Sequence, residues 1–597
     1  MFPEPKSRIT RVGTYHLNPS LIDSLQRCTT ATDQLPGVLF NHDARQAPEA
    51  FSLLIQQETI TLTYADFSGR YYGLLHLKQY IKENSRNGTI PCADIYDQPA
   101  FKERGVMLDI SRNRVPTMET FKKYIEIFSN LRFNQLQLYT EHTFAYTRHK
   151  QVWKDYSPMT PDEIQELDTL CQLYAIELIP NQNSFGHLEP FLKYPEYHHI
   201  AEAPDGYDDP WGGHPEIGSS LYPGSPQTLE FLENLYDELL PNFTSRTLNV
   251  GCDETFDLCQ GKSKERCDRL GMGEVYLDFI KSLNTIVEKR GFRTQFWGDM
   301  IESHPELIPE IPKSMQAVCW WYEGDGSMEK RVAPYAESGI DFQIWPGTSA
   351  WMTLTGRWKN AIDNISESIA AGKKRGASGL VMTDWGDHGH WNPLVLSLLP
   401  LAAGGIGFWK GEIPTDEELT AAVESDDLLG MPKNFAQLLL HMGNLYTKLP
   451  FKLHNTTPWA VILIQHYVPA YRTDFLANRD SLNQFEWTAL IEELETIREG
   501  FTASAIENHL IQNEAVWCCD ISLLGMKMCR SYVASGAEKW LPEELDTVAA
   551  TGFAADLRVI ADQFQELWLK RSRPGGLQFS YGRMIELAEI LENVGEL

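Results

Sequence analysis

From about residue 104 to 405, short apolar runs alternate with stretches whose apolar residues recur at helical spacing. The runs predict strands over 105–110, 133–139, 176–180, 246–250, 294–297, 316–321, 341–345 and 379–385. The intervening pattern predicts helices over 117–130, 161–174, 227–240, 273–290 and 359–375. Eight β/α units in that length match a (β/α)8 TIM barrel. A doubly wound open sheet would carry a glycine-rich phosphate turn after its first strand. Here that place holds Asp109-Ile-Ser-Arg-Asn-Arg.

The flanks have other patterns. Residues 1–98 combine apolar runs at 37–40, 50–55 and 60–64 with one helical stretch at 71–81, which predicts a small α+β domain. The barrel then occupies 99–408. From 409 to 597 strand patterns stop and amphipathic helices take over, as at 482–502 and 556–571. This α-helical C-terminal domain is assigned to packing against the barrel or to assembly, with a homodimer as the protein partner.

Composition narrows the function. The chain has 597 residues, 43% apolar and 22% charged, which excludes disorder and low-complexity scaffolds. Lys and Arg number 52 against 81 Asp and Glu, a net charge of −29. Such a field repels phosphate backbones and anionic lipid, so nucleic-acid and membrane partners are not expected. No segment is long and apolar enough to span a bilayer, and the first residues lack the apolar core of a secretion signal. The ten Cys form no CxxC pair and several fall in predicted strands. Buried free thiols and a cytoplasmic location are expected, rather than a disulfide frame.

Barrel chemistry gathers at the C-terminal ends of the strands. Those ends carry His187, Asp253-Glu254, Trp297, Asp299, Trp320, Tyr322, Trp345, Trp351, Trp385 and Asp387. Eight of the 16 Trp lie between 297 and 391. Indole is too large for a typical barrel interior and needs a partner for its N–H, so Trp at successive strand ends suits a wall that stacks on sugar rings. Two carboxylates just past the fourth strand suit acid/base work on an acetal, one protonated and one ionised. Arg104 and Arg112 flank the first strand, and a guanidinium fork matches vicinal hydroxyls. The run Asp387-His-Gly-His390 suggests a metal, but neither HExxH nor a barrel metallohydrolase set accompanies it.

These residues together resemble glycoside hydrolase family 20, the β-N-acetylhexosaminidases. Arg104-Gly-Val-Met-Leu-Asp109-Ile-Ser-Arg112 resembles the family's first barrel strand, and the resemblance implies that Arg104 binds the sugar's outer hydroxyls. Phe185-Gly186-His187, Gly251-Cys252-Asp253-Glu254, Trp297 and Trp385-Gly-Asp387 are similar to its later elements, and Tyr71-Tyr-Gly-Leu-Leu-His-Leu to its preceding α+β domain. The chain departs from the pattern at Cys252, Asn249, Asp387 and Thr140-Glu141-His142. Tyr322 or the 345–351 segment stands for a missing Tyr-x-Asp.

The resemblance implies a retaining exo-hydrolase of terminal β-linked GlcNAc or GalNAc without metal or organic cofactor. The sugar's own 2-acetamido group is the nucleophile, Asp253 orients it, and Glu254 is the acid/base. His187, with Glu141 behind it, tunes Glu254. Trp297, Trp320, Tyr322, Trp345, Trp351, Trp385 and Asp387 bind substrate. The alternative is a carbohydrate-binding protein that has kept the pocket and lost catalysis.

Overall fold

The computed structural model describes residues 3–27, 35–210, 213–425, 429–466, 468, 470–505 and 508–594. Five strands open the chain: β1 (Ser7–His16), β2 (Val38–His42), β3 (Phe51–Ile55), β4 (Ile60–Tyr64) and β5 (Thr89–Asp97). They form one sheet in the order β1-β5-β3-β4-β2. The helix Phe67–Asn84 covers it, started by Asp66, whose side chain accepts the Gly69 N–H.

Eight parallel strands follow: β6 (Glu103–Asp109), β7 (Gln135–Tyr139), β8 (Glu177–Ile179), β9 (Thr247–Asn249), β10 (Arg293–Trp297), β11 (Gln316–Trp320), β12 (Asp341–Trp345) and β13 (Gly379–Asp384). Their order is β8-β7-β6-β13-β12-β11-β10-β9. A parallel bridge between Asn181 and Asn249 joins the two ends, so the sheet closes into the expected barrel. The predicted helices form with boundaries shifted by a residue or two. Thr117 caps Met118–Asn130, and a reciprocal Thr160–Glu163 box caps Pro161–Leu173.

The barrel centre is unusually polar. The Gln137 amide donates to Gln295 Oε1 at 2.7 Å, and Asn181 and Asn249 both donate to Gln137 Oε1 at 3.1 Å. Gln295 donates to Gln316 and Gln343, and Gln343 to Glu103 at 2.7 Å. A buried amide is tolerable only when paired, and this chain of amides links each to the next, with the Asn181 Oδ1 left without a partner among the described residues. It explains why Asn stands at position 249.

Two barrel helices longer than ten residues went unassigned from the sequence. Val395–Lys410 is buried on all sides except Lys410, so it lacks the amphipathic stripe that sequence patterning detects. Met328–Ser338 carries Pro334 in its interior. In the tail, the predicted 482–502 helix is two, Arg479–Gln484 and Trp487–Ala503, broken at an extended Phe485. The predicted 556–571 helix starts earlier, at Thr547, where Asp546 caps it.

The tail docks on the mouth of the barrel. Arg573 donates to the Pro116 and Pro158 carbonyls and to Glu163. Ser572 accepts from Arg114, and the Ser580 carbonyl accepts the Trp391 indole N–H. Residues 571–580 thus touch the loops after β6, β7 and β13.

The cysteine expectation needs one correction. Cys259 and Cys267 form a disulfide across a Cα separation of 5.6 Å. Glu202 draws this loop closed by accepting from the Gly261 and Ser263 amides and from the Ser263 hydroxyl. Cys92, Cys171, Cys252, Cys319, Cys518, Cys519 and Cys529 are buried and free, and Cys28 lies outside the described residues. No helix among the described residues is long and apolar enough to cross a membrane.

Candidate active site

The chain leaves β9 through a sharply bent run. Gly251, Cys252 and Glu254 have φ of +66°, +82° and +50°. A Cβ on Gly251 would sit 1.6 Å from Asn183 Oδ1, and one on Gly186 would sit 2.3 Å from the Asp253 carbonyl oxygen. Glycine is needed at both places because the loops after β8 and β9 meet with no room for a side chain. This bend lets adjacent carboxylates serve one site, where a straight strand would send them to opposite faces.

Asp253 is buried and Glu254 is partly exposed, its side chain 32% accessible. His187 joins them. Its Nε2 lies 3.3 Å from Asp253 Oδ2 and 3.4 Å from Glu254 Oε2, and its Nδ1 lies 3.9 Å from Glu141 Oε1. Burial alone would lower the imidazolium pKa, but the two carboxylates outweigh it and hold that pKa well above the usual value. Asp253 Oδ1 is buried without a hydrogen-bond partner among the described residues.

A second group faces this one. Arg112 Nη1 lies 3.0 Å from Glu141 Oε1, and the guanidinium packs 4.8 Å from the Tyr139 ring centroid and 5.2 Å from that of Trp385. Tyr139 donates to Glu141 Oε1 at 3.1 Å. Asp109 accepts the Ser111, Arg112 and Gly386 amides, which ties the loop of β6 to that of β13. Asp387 sits half-buried on the latter loop, and burial pushes its carboxyl up to about 7 against the opposing pull of Arg112.

The aromatic wall has two depths. Trp385 Nε1 donates to the Tyr322 hydroxyl at 2.8 Å, and Tyr322 stacks on the partly exposed Trp320 at 5.1 Å. Trp297 lies 4.8 Å from Trp345, 5.6 Å from Trp385 and 6.2 Å from Trp320. Trp297, Trp345 and Trp351 are fully buried. Trp345 spends its N–H on Gln343, and Trp351 packs edge-on to Tyr322. These three are the deepest rings of the group, while Trp320 is the most open.

Arg104 is not in the site. It starts β6, at the opposite end of the barrel, and is fully buried. Its guanidinium donates to Glu49 Oε2 at 2.7 Å and to the Phe101 and Arg132 carbonyls. It joins the N-terminal domain to the barrel. Arg112 occupies the site in its place, as its position after the strand allows. Tyr139 and Asp109 were not singled out as site residues from the sequence, and Asp299 was noted at its strand end without a role. Tyr139 and Asp109 end barrel strands, which is the signal that could have found them. Among the described residues, no group of three His, Cys, Asp or Glu is arranged to hold a metal ion.

With this geometry in place, the comparisons are decisive. The catalytic-domain model of glycosyl hydrolase family 20 matches residues 101–371. Residues 101–371 are a glycosyl hydrolase family 20 catalytic domain. Human hexosaminidase D is 24% identical over 473 residues, which are 69% of this chain and 91% of that protein. The X-ray structure of Flavobacterium johnsoniae chitobiase superposes with a TM-score of 0.58 at 17% identity, covering 98% of both chains. The β-N-acetylhexosaminidase of Bacteroides fragilis superposes with a TM-score of 0.55 at 18% identity, covering 72% of this chain and 94% of that one. At such identities the two structures speak for the fold. With that domain the chain is a glycoside hydrolase.

Proposed function

We propose that this family 20 hydrolase releases terminal β-linked N-acetylhexosamines by substrate-assisted catalysis with retention. The observation that carries this reading is the Asp253 carboxylate. It is buried, its Oδ2 faces the His187 cation, and its Oδ1 has no partner among the described residues. A buried acceptor left unsatisfied is costly, and the N–H of a 2-acetamido group would satisfy it. Held there, the acetamido oxygen attacks the anomeric carbon and closes an oxazolinium ring. The Asp253 charge balances the positive charge that develops. Glu254, the more exposed carboxylate, protonates the departing oxygen and then draws a proton from water. No protein nucleophile is needed, as in the substrate-assisted exceptions to the two-carboxylate rule. Arg112, Glu141 and Asp387 supply the polar contacts for ring hydroxyls, with Trp385 beneath.

The substrate class is an amino-sugar oligosaccharide or glycoconjugate, which the anionic chain meets as a neutral glycan. A cytoplasmic location is supported by seven buried free thiols and countered by the Cys259–Cys267 bond. The redox state of that pair in a cell extract decides between them.

Turnover of aryl β-N-acetylglucosaminides and galactosaminides tests the activity. The mechanism is tested with Asp253→Asn and a thiazoline analogue of the cyclised intermediate. The analogue is expected to inhibit wild type tightly and the variant much less, with kcat falling far more than KM rises. Covalent labelling of any carboxylate by a 2-fluoro sugar would overturn substrate assistance.

A further inference from the structure

Asp299 is the first residue of the four-residue helix Asp299–Glu302 just beyond β10. Its two carboxylate oxygens reach the neighbouring strand ends, those of β9 and β11. Oδ2 accepts the backbone N–H of Glu254 at 3.0 Å, and Oδ1 accepts the Trp320 indole N–H at 3.2 Å. Glu254 stands at φ +50°, a region where a non-glycine residue stays only if its surroundings hold it. Three further bonds shape the bend without touching the Glu254 amide. The Trp297 N–H donates to the Gly251 carbonyl, the Tyr276 hydroxyl to the Cys252 carbonyl, and the Phe256 N–H to the Glu254 carbonyl. The Asp299 carboxylate is the acceptor for the amide of the strained residue itself.

We propose that Asp299 is a positioning residue for the proton donor, which it locks to the Trp320 side of the aromatic wall. The inference rests on the assignment of Glu254 as the acid/base. Both of its partners are N–H donors, so both oxygens must accept. An asparagine offers one acceptor oxygen, and its NH2 group faces the other donor. Losing the Glu254 bond frees that residue to leave its left-handed conformation, which carries the carboxyl away from the leaving oxygen. A shift of about 1 Å at a reacting group costs on the order of 100-fold in rate.

The experiment compares Asp299→Ala and Asp299→Asn with wild type on two β-N-acetylhexosaminides. One is a disaccharide, whose departing oxygen needs protonation. The other is a 2,4-dinitrophenyl glycoside, which needs little. The expected result is a kcat loss of roughly 10- to 100-fold on the disaccharide and about 3-fold or less on the aryl glycoside, as befits a weakened general acid. KM and the melting temperature are expected to change little. Asp299→Asn should fall between Asp299→Ala and wild type. Equal losses on both substrates, or no loss on either, would overturn the inference while leaving the hydrolase reading intact. A wild type that turns over neither substrate would overturn both.

Discussion

Asp387 shows how much a single residue's setting decides. It is one carbon shorter than the family's usual Glu and sits half-buried beside Arg112. With its carboxyl pushed up to about 7 by burial, it is neutral below that pH and charged above it. Its capacity to accept a sugar hydroxyl as a full anion therefore grows as pH rises through 7. The acidic limb of kcat/KM is expected to show an apparent pKa near 7 that disappears in Asp387→Asn. A pH profile of both proteins from 5 to 9 measures it. Superimposable profiles would remove Asp387 from substrate binding. The carboxylate at 253 lies only a few ångströms from the His187 cation and takes a different role, although both are aspartates on barrel loops.

At the scale of elements, the site depends on two loops packed backbone to backbone. The loops after β8 and β9 meet where Gly186 and Gly251 leave no space for a Cβ. Gly251→Ala would place a methyl inside Asn183 and put an L-residue at φ +66°. The expected cost is about 1–3 kcal/mol of stability, the usual size of one strained backbone position. A fall in kcat of more than about 10-fold should accompany it, because Asp253 and Glu254 follow directly and small displacements at the chemistry are expensive. Urea unfolding and steady-state kinetics on the same preparation test both. Retention of both properties would show that this close approach does not hold the carboxylates.

Across the whole molecule, two arginines at opposite ends of β6 do different work. Arg104 binds the N-terminal domain to the base of the barrel through Glu49. Arg112 binds Glu141 at the mouth. Arg104→Met would leave the Glu49 charge uncompensated, and breaking a buried pair from one side costs about 3–5 kcal/mol. The folded fraction is expected to keep its KM. Arg112→Met leaves the buried Glu141 uncompensated in the same way and is expected to cost a similar amount of stability, and in addition to lose kcat/KM by about 1.5–3 kcal/mol, the worth of charge-assisted hydrogen bonds. Calorimetry and kinetics on the pair separate the roles, and a raised KM in Arg104→Met would contradict the assignment. The tail also belongs to this scale. By seating residues 571–580 on the loops after β6, β7 and β13, it supports the same mouth that Arg112 and Asp387 line.

Local patterning and local chemistry were legible without coordinates. Strands and amphipathic helices announce themselves because their periods differ, so the barrel and its eight units follow from the order of apolar runs. The Asp253-Glu254 pair, His187 and the tryptophan-rich strand ends follow because a barrel's chemistry sits at one end of its strands. What depends on distance in space was not legible. The fully buried helix Val395–Lys410 has no stripe to detect. Cys259 and Cys267 meet because Glu202, some sixty residues earlier, folds their loop. Trp345 and Trp351 share the composition of the wall, and only packing in space sets how deep each ring lies. Arg104 and Arg112 are the same residue type eight positions apart, and only the barrel, by giving the strand between them a bottom and a top, made one a domain clamp and the other a site residue.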